Sequence, residues 1–243
     1  MNTDRGIVYI VFGNDYRKMG EICIRKSREK TDIPFHVFTN MLDYKLDHIP
    51  LTATEYLPIP TKQNRIVKTH LLPEISPFKK TLYLDCDTVI QNTGVEVAFD
   101  TLDGVDMCFF KNMSWRKGDK VLKIYKRAMD MFGCNIPIIV WQGGVFSFNK
   151  TDATLEFFKT WHRYWIEFGR MREMPCLACA VNNTKNLKVA VLPENFFAHD
   201  AGLVDSAIVQ HDIGSDFDKK FGIPAYTRNE PGIQSGDFSW VEM

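Results

Sequence analysis

The chain has 243 residues, 45% hydrophobic and 25% charged, which is the balance of an ordinary globular protein long enough to bury a large α/β core. Thirty basic and thirty acidic residues cancel, so no overall field draws the chain to nucleic acid or to an anionic membrane; a phosphate-bearing small ligand suits it better. The composition excludes collagen-like, disordered and repeat architectures, and with no visible signal peptide or membrane span the cytoplasm is the expected location.

"GIVYIVFG" (6–13) is a continuous β-branched and aromatic run closed by Gly, the pattern of a strand buried on both faces. "MGEICIRKSREK" carries a helical stripe at Met19, Ile22, Cys23 and Lys26, and "PFHVFTN" reads as a second strand, completing a β-α-β unit. "RIVKTHLLPEI" predicts a helix that stops near Pro73, followed by "TLYLDCD" as strand, "VEVAFDTL" as helix and "DMCFF" as strand. "KVLKIYKRAMDMFG" is a helix with Gly133 at its C-terminal end, and "GGVFSFN" is a strand. In "TLEFFKTWHRYWIEFG" the aromatics Phe157, Phe158, Trp161, Tyr164, Trp165 and Phe168 recur at near-helical spacing, as core packing requires. The alternation predicts one α/β domain over 1–243, Rossmann-like, with a mostly parallel central sheet and helices on both faces.

The six cysteines, Cys23, Cys86, Cys108, Cys134, Cys176 and Cys179, mostly sit inside apolar segments and read as reduced core thiols. Cys176 and Cys179 form a CxxC, yet no second ligand pair accompanies it and its surroundings are helical, which argues against a zinc knuckle. Sequons at Asn112, Asn149 and Asn182 matter only in a secretory compartment.

"TLYLDCDTVI" (81–90) tips an apolar strand with Asp85 and Asp87, one residue apart. In open α/β sheets ligands bind beyond the carboxyl ends of strands, and two carboxylates that close repel unless a hard divalent cation keeps both ionised. Two enzyme classes use such a motif. GT-A glycosyltransferases place DxD after a mid-sheet strand to hold Mn²⁺ or Mg²⁺ on a nucleotide-sugar diphosphate. Haloacid-dehalogenase-like phosphatases carry DxDxT, which "YLDCDTV" also fits, but their nucleophilic Asp normally closes the first strand of the domain, and here two predicted strands come earlier.

Over most of its length the sequence resembles the GT-A family that includes glycogenin and bacterial lipopolysaccharide galactosyltransferases. "VFGNDYRKMGEICIRKS" resembles its first βα turn, which implies Phe12, Gly13, Asn14, Asp15 and Tyr16 around a nucleotide base and ribose. "IVKTHLLPEISPFKKTLYLDCD" resembles the helix leading to DxD, implying that Lys68 contacts the donor and that Asp85, Cys86 and Asp87 line the metal–diphosphate site. "WQGGVFSFNK" resembles an N-A/S-G-V segment with Gln142 in place of Asn, and implies close approach of sugar at Gly143 and Gly144. "IVQHDIG" resembles a late HxxG segment, so the resemblance implies His211 as third metal ligand and Gly214 against the diphosphate. The family's following Lys is Phe217 here, leaving Lys219 or Lys220 to replace it. Where the family has "DQ", this chain has Glu173 and Met174; Glu173 can bind sugar hydroxyls, whereas Met174 has no amide to offer.

The resemblance therefore implies transfer of a hexose from a UDP-sugar to a glycan, protein or small-molecule acceptor, with Mn²⁺ or Mg²⁺ and retention of anomeric configuration, oligomeric state left open. Residues 1–110 would mainly hold nucleotide and metal and 111–243 mainly the acceptor, with Asp85, Asp87, Gln142 and Glu173 nearest the chemistry. The alternatives are the phosphatase and a non-catalytic nucleotide-sugar-binding protein, the latter prompted by Met174.

Overall fold

β1 (Arg5–Val11) splits its side chains between two apolar clusters: Val8 and Ile10 pack into one, and Ile7, Tyr9 and Val11 into the other. Successive strand residues face opposite ways, so a strand apolar at every position must be covered on both sides. The computed structural model describes residues 4–111, 119–134, 139–198 and 204–211, together with 220 and 222. Its main sheet has seven strands in the order β3-β2-β1-β4-β7-β6-β8. β3 (Thr52–Tyr56), β2 (Phe35–Thr39), β1 and β4 (Lys80–Asp85) run parallel. β7 (Trp141–Asn149) is antiparallel to both β4 and β6 (Met107–Lys111), and β8 (Val189–Val191) pairs parallel with β6. The mostly parallel α/β architecture is thus the one observed. A second sheet joins β5 (Thr88–Ile90), β10 (Val209–His211) and β9 (Phe197–Ala198).

α1 (Asn14–Arg28) buries Met19, Gly20, Cys23, Ile24 and Ser27, so the stripe expected through Ile22 and Lys26 is rotated along the helix. Gly20 is the reason. A Cβ there would lie 2.9 Å from the Val11 side chain, and its absence lets the helix settle on β1 through that face. Ser27, fully buried, then accepts hydrogen bonds from Tyr9 Oη (3.0 Å) and Ile90 N (2.9 Å), tying α1 to both sheets.

The helix expected to stop at Pro73 continues to Ile75, because its register changes on the way. α2 (Asn64–Ile66) passes into a π turn (Val67–Leu71), which restarts as α3 (Leu72–Ile75). Pro73 consequently falls in a first turn, where its missing N–H costs nothing. α4 (Val97–Asp100) is one turn, and α5 (Asp119–Phe132) ends with Gly133 at φ 63°, as its sequence predicts. α6 (Asp152–Glu167) is capped by Thr151, whose hydroxyl accepts from Thr154 N at 3.2 Å, and its five aromatics, with Phe168 at its C-terminal cap, are all buried. α7 (Glu173–Asn183) follows, carrying the CxxC on a helix; all six cysteines are free thiols. No described helix is long and apolar enough to cross a membrane.

The π turn meets α6 through two stacked histidines, His70 and His162, with centroids 4.5 Å apart. Thr69 Oγ1 donates its proton to Arg65 O (2.8 Å), so at 3.1 Å the His162 Nδ1–H is the donor to Thr69 Oγ1. Burial, then the charges of His70 and Arg170, hold the His162 pKa down to about 4. That value is depressed below the unfolded one of about 6.5, so the unfolded chain takes up the proton first as pH falls. This contribution to stability is complete above about pH 6.5 and is lost on acidification toward pH 4. We predict that denaturant titrations across this interval will show a smaller acid loss for His162→Gln than for the unaltered protein; equal slopes would refute the assignment.

Candidate functional site

After β3 the chain returns to the other side of β1 to form β4, and a crevice opens beyond the carboxyl ends of these two strands. Ile10 on β1 stands level with Asp85 on β4. The cleft there has a volume of about 330 Å³, and its walls include Phe12, Tyr16, Lys68, Asp85, Cys86, Asp87, Glu173 and His211.

Lys68, on the π turn, is the innermost charge. Its side chain is 8% exposed, with Nζ 3.3 Å from Asp85 Oδ1 and 3.2 Å from Glu173 Oε1. Glu173 opens α7, where the helix dipole favours a carboxylate, and its Oε2 receives Arg65 Nε at 3.1 Å. Burial works against both ions and is outweighed. Lys68 and then Arg65 hold Glu173 down to about 2, while Asp85 and Glu173 raise Lys68 above the ordinary lysine value. Asp85 Oδ1 also accepts from Tyr83 Oη at 2.5 Å. Burial, and after it the Asp85 charge, lifts Tyr83 well above its ordinary value, so the phenol stays a donor.

Asp87 lies in the turn between β4 and β5, and antiparallel pairing of Thr88 with His211 brings β10 alongside it. His211 Nε2 is 3.2 Å from Asp87 Oδ1. Burial raises the Asp87 pKa, but His211 outweighs it and the net direction is down. One ligand atom each from Asp85, Asp87 and His211 fall within 4.8 Å of one another, and among the described residues the buried Asp87 Oδ1 accepts no well-oriented hydrogen bond. Two carboxylates and an imidazole whose ligand atoms converge in this way fit a divalent cation of the Mn²⁺ or Mg²⁺ kind.

The remaining expected residues fall in different places. Gly144 backs directly onto the acidic pair: a Cβ would stand 2.6 Å from Asp85 Oδ2. Gly143 faces Met174 Cγ at 3.3 Å and Lys68 Nζ at 3.8 Å by the same measure. Gln142 is buried in β7 and is not on the cleft wall. Gly13, Asn14 and Asp15 form the turn between the wall residues Phe12 and Tyr16; Gly13 has φ 84° and donates its N–H to Asn40 Oδ1 at 2.9 Å. Burial and then the charges of Asp87 and Asp85 keep Cys86 a thiol. Gly214 and Lys219 lie outside the described residues. Lys220 Nζ binds Asp205 Oδ1 (2.8 Å) and Gln91 Oε1 (3.0 Å) and does not line the cleft.

Arg65 and Tyr83 belong to the site and were not read from the sequence. Each had a signal: Arg65 precedes Lys68 by three positions in a helical stretch, and Tyr83 precedes Asp85 by two in a strand, spacings that share a face.

No protein-family model and no curated protein matches the sequence. Solved structures do. Galactosyltransferase LgtC, determined with donor and acceptor sugar analogs, aligns over 92% of this chain and 99% of its own, with TM-score 0.61 and 16% identity. The WbbM bifunctional glycosyltransferase aligns over 93% of this chain and 51% of its own (TM-score 0.61, 12% identity). The chain has the GT-A glycosyltransferase fold. Mouse xyloside xylosyltransferase 1 aligns over 86% of this GT-A chain and 97% of its own, with TM-score 0.57 and 8% identity.

The buried Lys68 is the ion on which this GT-A cleft leans, and its removal leaves two carboxylates facing one another. We predict that Lys68→Met destabilises the protein at pH 7 by about 3–5 kcal/mol, the cost of stripping one partner from a buried pair. The Glu173 pKa should rise from about 2. The loss should shrink as pH falls and Glu173 takes up a proton; a deficit independent of pH in chemical denaturation would contradict this account.

Proposed function

We propose that the chain is a metal-dependent glycosyltransferase that moves a hexose from a nucleoside-diphosphate sugar, with UDP the favoured nucleotide, to an acceptor hydroxyl. The observation that carries this reading is the convergence of Asp85, Asp87 and His211 at the switch point of a GT-A fold. A divalent cation held there would supply Lewis-acid charge to the diphosphate as it leaves.

In this reading Phe12, Gly13, Asn14, Asp15 and Tyr16 bind base and ribose, and Tyr16, 43% exposed, has a free face on which a base can stack. Glu173 accepts hydrogen bonds from sugar hydroxyls. Each of its oxygens takes one cation, at 3.2 and 3.1 Å, and keeps a lone pair for the substrate. Held at about 2 by those cations, it is too weak a base to take a proton from the acceptor, so its part is orientation. Gly143 and Gly144 lie behind the cleft wall, making room for Lys68 and Asp85, so that their part in admitting the sugar is indirect, with Gln142 beside them in β7. Residues 1–110 provide most of the nucleotide and metal contacts, Glu173 and His211 close the cleft from the second half, and the acceptor docks mainly on 111–243. Retention of anomeric configuration is inferred from the shared fold.

The DxDxT reading as a phosphatase requires Asp85 as nucleophile. Its Oδ1 is already held by Lys68 and Tyr83, and β4 is the fourth strand in chain order, both of which favour the glycosyl-donor reading.

We predict that UDP raises the melting temperature only when Mn²⁺ or Mg²⁺ is present, with stabilisation of about 2.7 kcal/mol at a hundredfold excess over Kd. Asp87→Ala should abolish that response and sugar transfer while leaving the far-ultraviolet circular dichroism unchanged. Trapping of beryllofluoride on Asp85 without any UDP response would overturn the proposal in favour of the phosphatase.

A further inference from the structure

We infer that Arg65 is a second cationic contact for the donor, its terminal guanidinium nitrogens binding phosphate oxygens of the diphosphate. This rests on the donor reading above. Arg65 lines the cleft from α2, and its side chain is 45% exposed. Its Nε pairs with Glu173 Oε2 at 3.1 Å, and neither Nη makes a hydrogen bond to a described residue. The guanidinium is thereby held on one side by Glu173 while its exposed part lines the cleft with hydrogen-bonding capacity to spare.

The charges of the cleft favour an anion at that guanidinium. Lys68 is shared between Asp85 and Glu173, and His211 faces Asp87. Three carboxylates (Asp85, Asp87, Glu173) against two permanent cations (Lys68, Arg65) leave the described wall at −1, and a divalent ion turns it to +1. The phosphates of a nucleoside diphosphate are the part of the donor that answers such a charge, and a guanidinium matches phosphate geometry with paired N–H groups. Burial raises the Tyr16 pKa and Arg65 opposes that rise, which puts the guanidinium charge within reach of the residue expected to meet the nucleotide. Lys220 offers no substitute, being tied to Asp205 and Gln91.

The test is calorimetric titration of uridine, UDP and a UDP-hexose into the Mn²⁺-loaded protein and into Arg65→Gln and Arg65→Lys. The inference expects Arg65→Gln to weaken UDP by roughly tenfold or more, as loss of a charge-assisted contact does, with uridine changed less than about twofold. Arg65→Lys, which keeps the charge and loses the fork, should fall between. A loss confined to the UDP-hexose, with UDP unchanged, would show that Arg65 acts only by positioning Glu173 and would overturn the inference, as would unchanged affinities throughout. Failure of the unaltered protein to bind UDP with Mn²⁺ would instead remove the donor reading and this inference with it. If Arg65→Gln does not fold, the comparison of Arg65→Lys with the unaltered protein decides the same question through the UDP-to-uridine ratio.

Discussion

The arrangement of the cleft depends on one buried ammonium group. Lys68 stands where the π turn, the end of β4 and the start of α7 meet, and it holds a carboxylate from each of the last two. Taking such an ion out of water costs several kcal/mol unless both partners are correctly placed, so the three elements constrain one another. Tyr83 takes a second grip on the same Asp85 oxygen, and Gly144 clears space for the other. The carboxylate is left with little freedom to turn. A π turn at this point is consistent with that demand, since an extra residue in a helical turn re-aims the side chains that follow and such turns gather at functional sites.

In a chain with no net charge, the one charged side chain that is buried among the described residues, Lys68, lies in this crevice. Glu173 is pinned as a carboxylate, Lys68 as an ammonium, Tyr83 as a phenol and Cys86 as a thiol, each by burial together with named neighbours. Across neutral pH these four groups keep one protonation state, so their share of the cleft's field is a fixed property of the fold. The stacked His70 and His162 that pack the π turn on α6 lie outside the cleft wall, so the acid response of His162 is separate from the cleft.

Strands that are apolar throughout were legible because burial on both faces leaves a pattern that needs no context, as in β1, β4 and β7. Edge and accessory strands were not. β3 reads "TATEY", half exposed and without an apolar run, and β5, β8 and β9 are two or three residues long, defined by their partners rather than by their own composition. The acidic pair announced itself through an apolar strand ending in charge. The rotated stripe of α1 escaped because Gly20, which carries no hydrophobic signal, sets the packing face. Pro73 misled because a register change inside a helix is a tertiary effect. Arg65 was passed over because its partner Glu173 is remote in sequence, and only the meeting of α2 with α7 makes the pair visible.

The pairing of β10 with β5 has a consequence for how the molecule is made. Asp85 and Asp87 leave the ribosome well ahead of His211, and β5 and β10 join over more than a hundred intervening residues. Contacts of such long range form late, because the loop that they close must already be ordered. Until β10 docks on β5, Asp85 and Asp87 stand without the His211 imidazole that the folded site sets against Asp87. The Asp85–Asp87–His211 group thus comes into being only as the second sheet closes, a product of tertiary assembly that no local segment of the chain can form by itself.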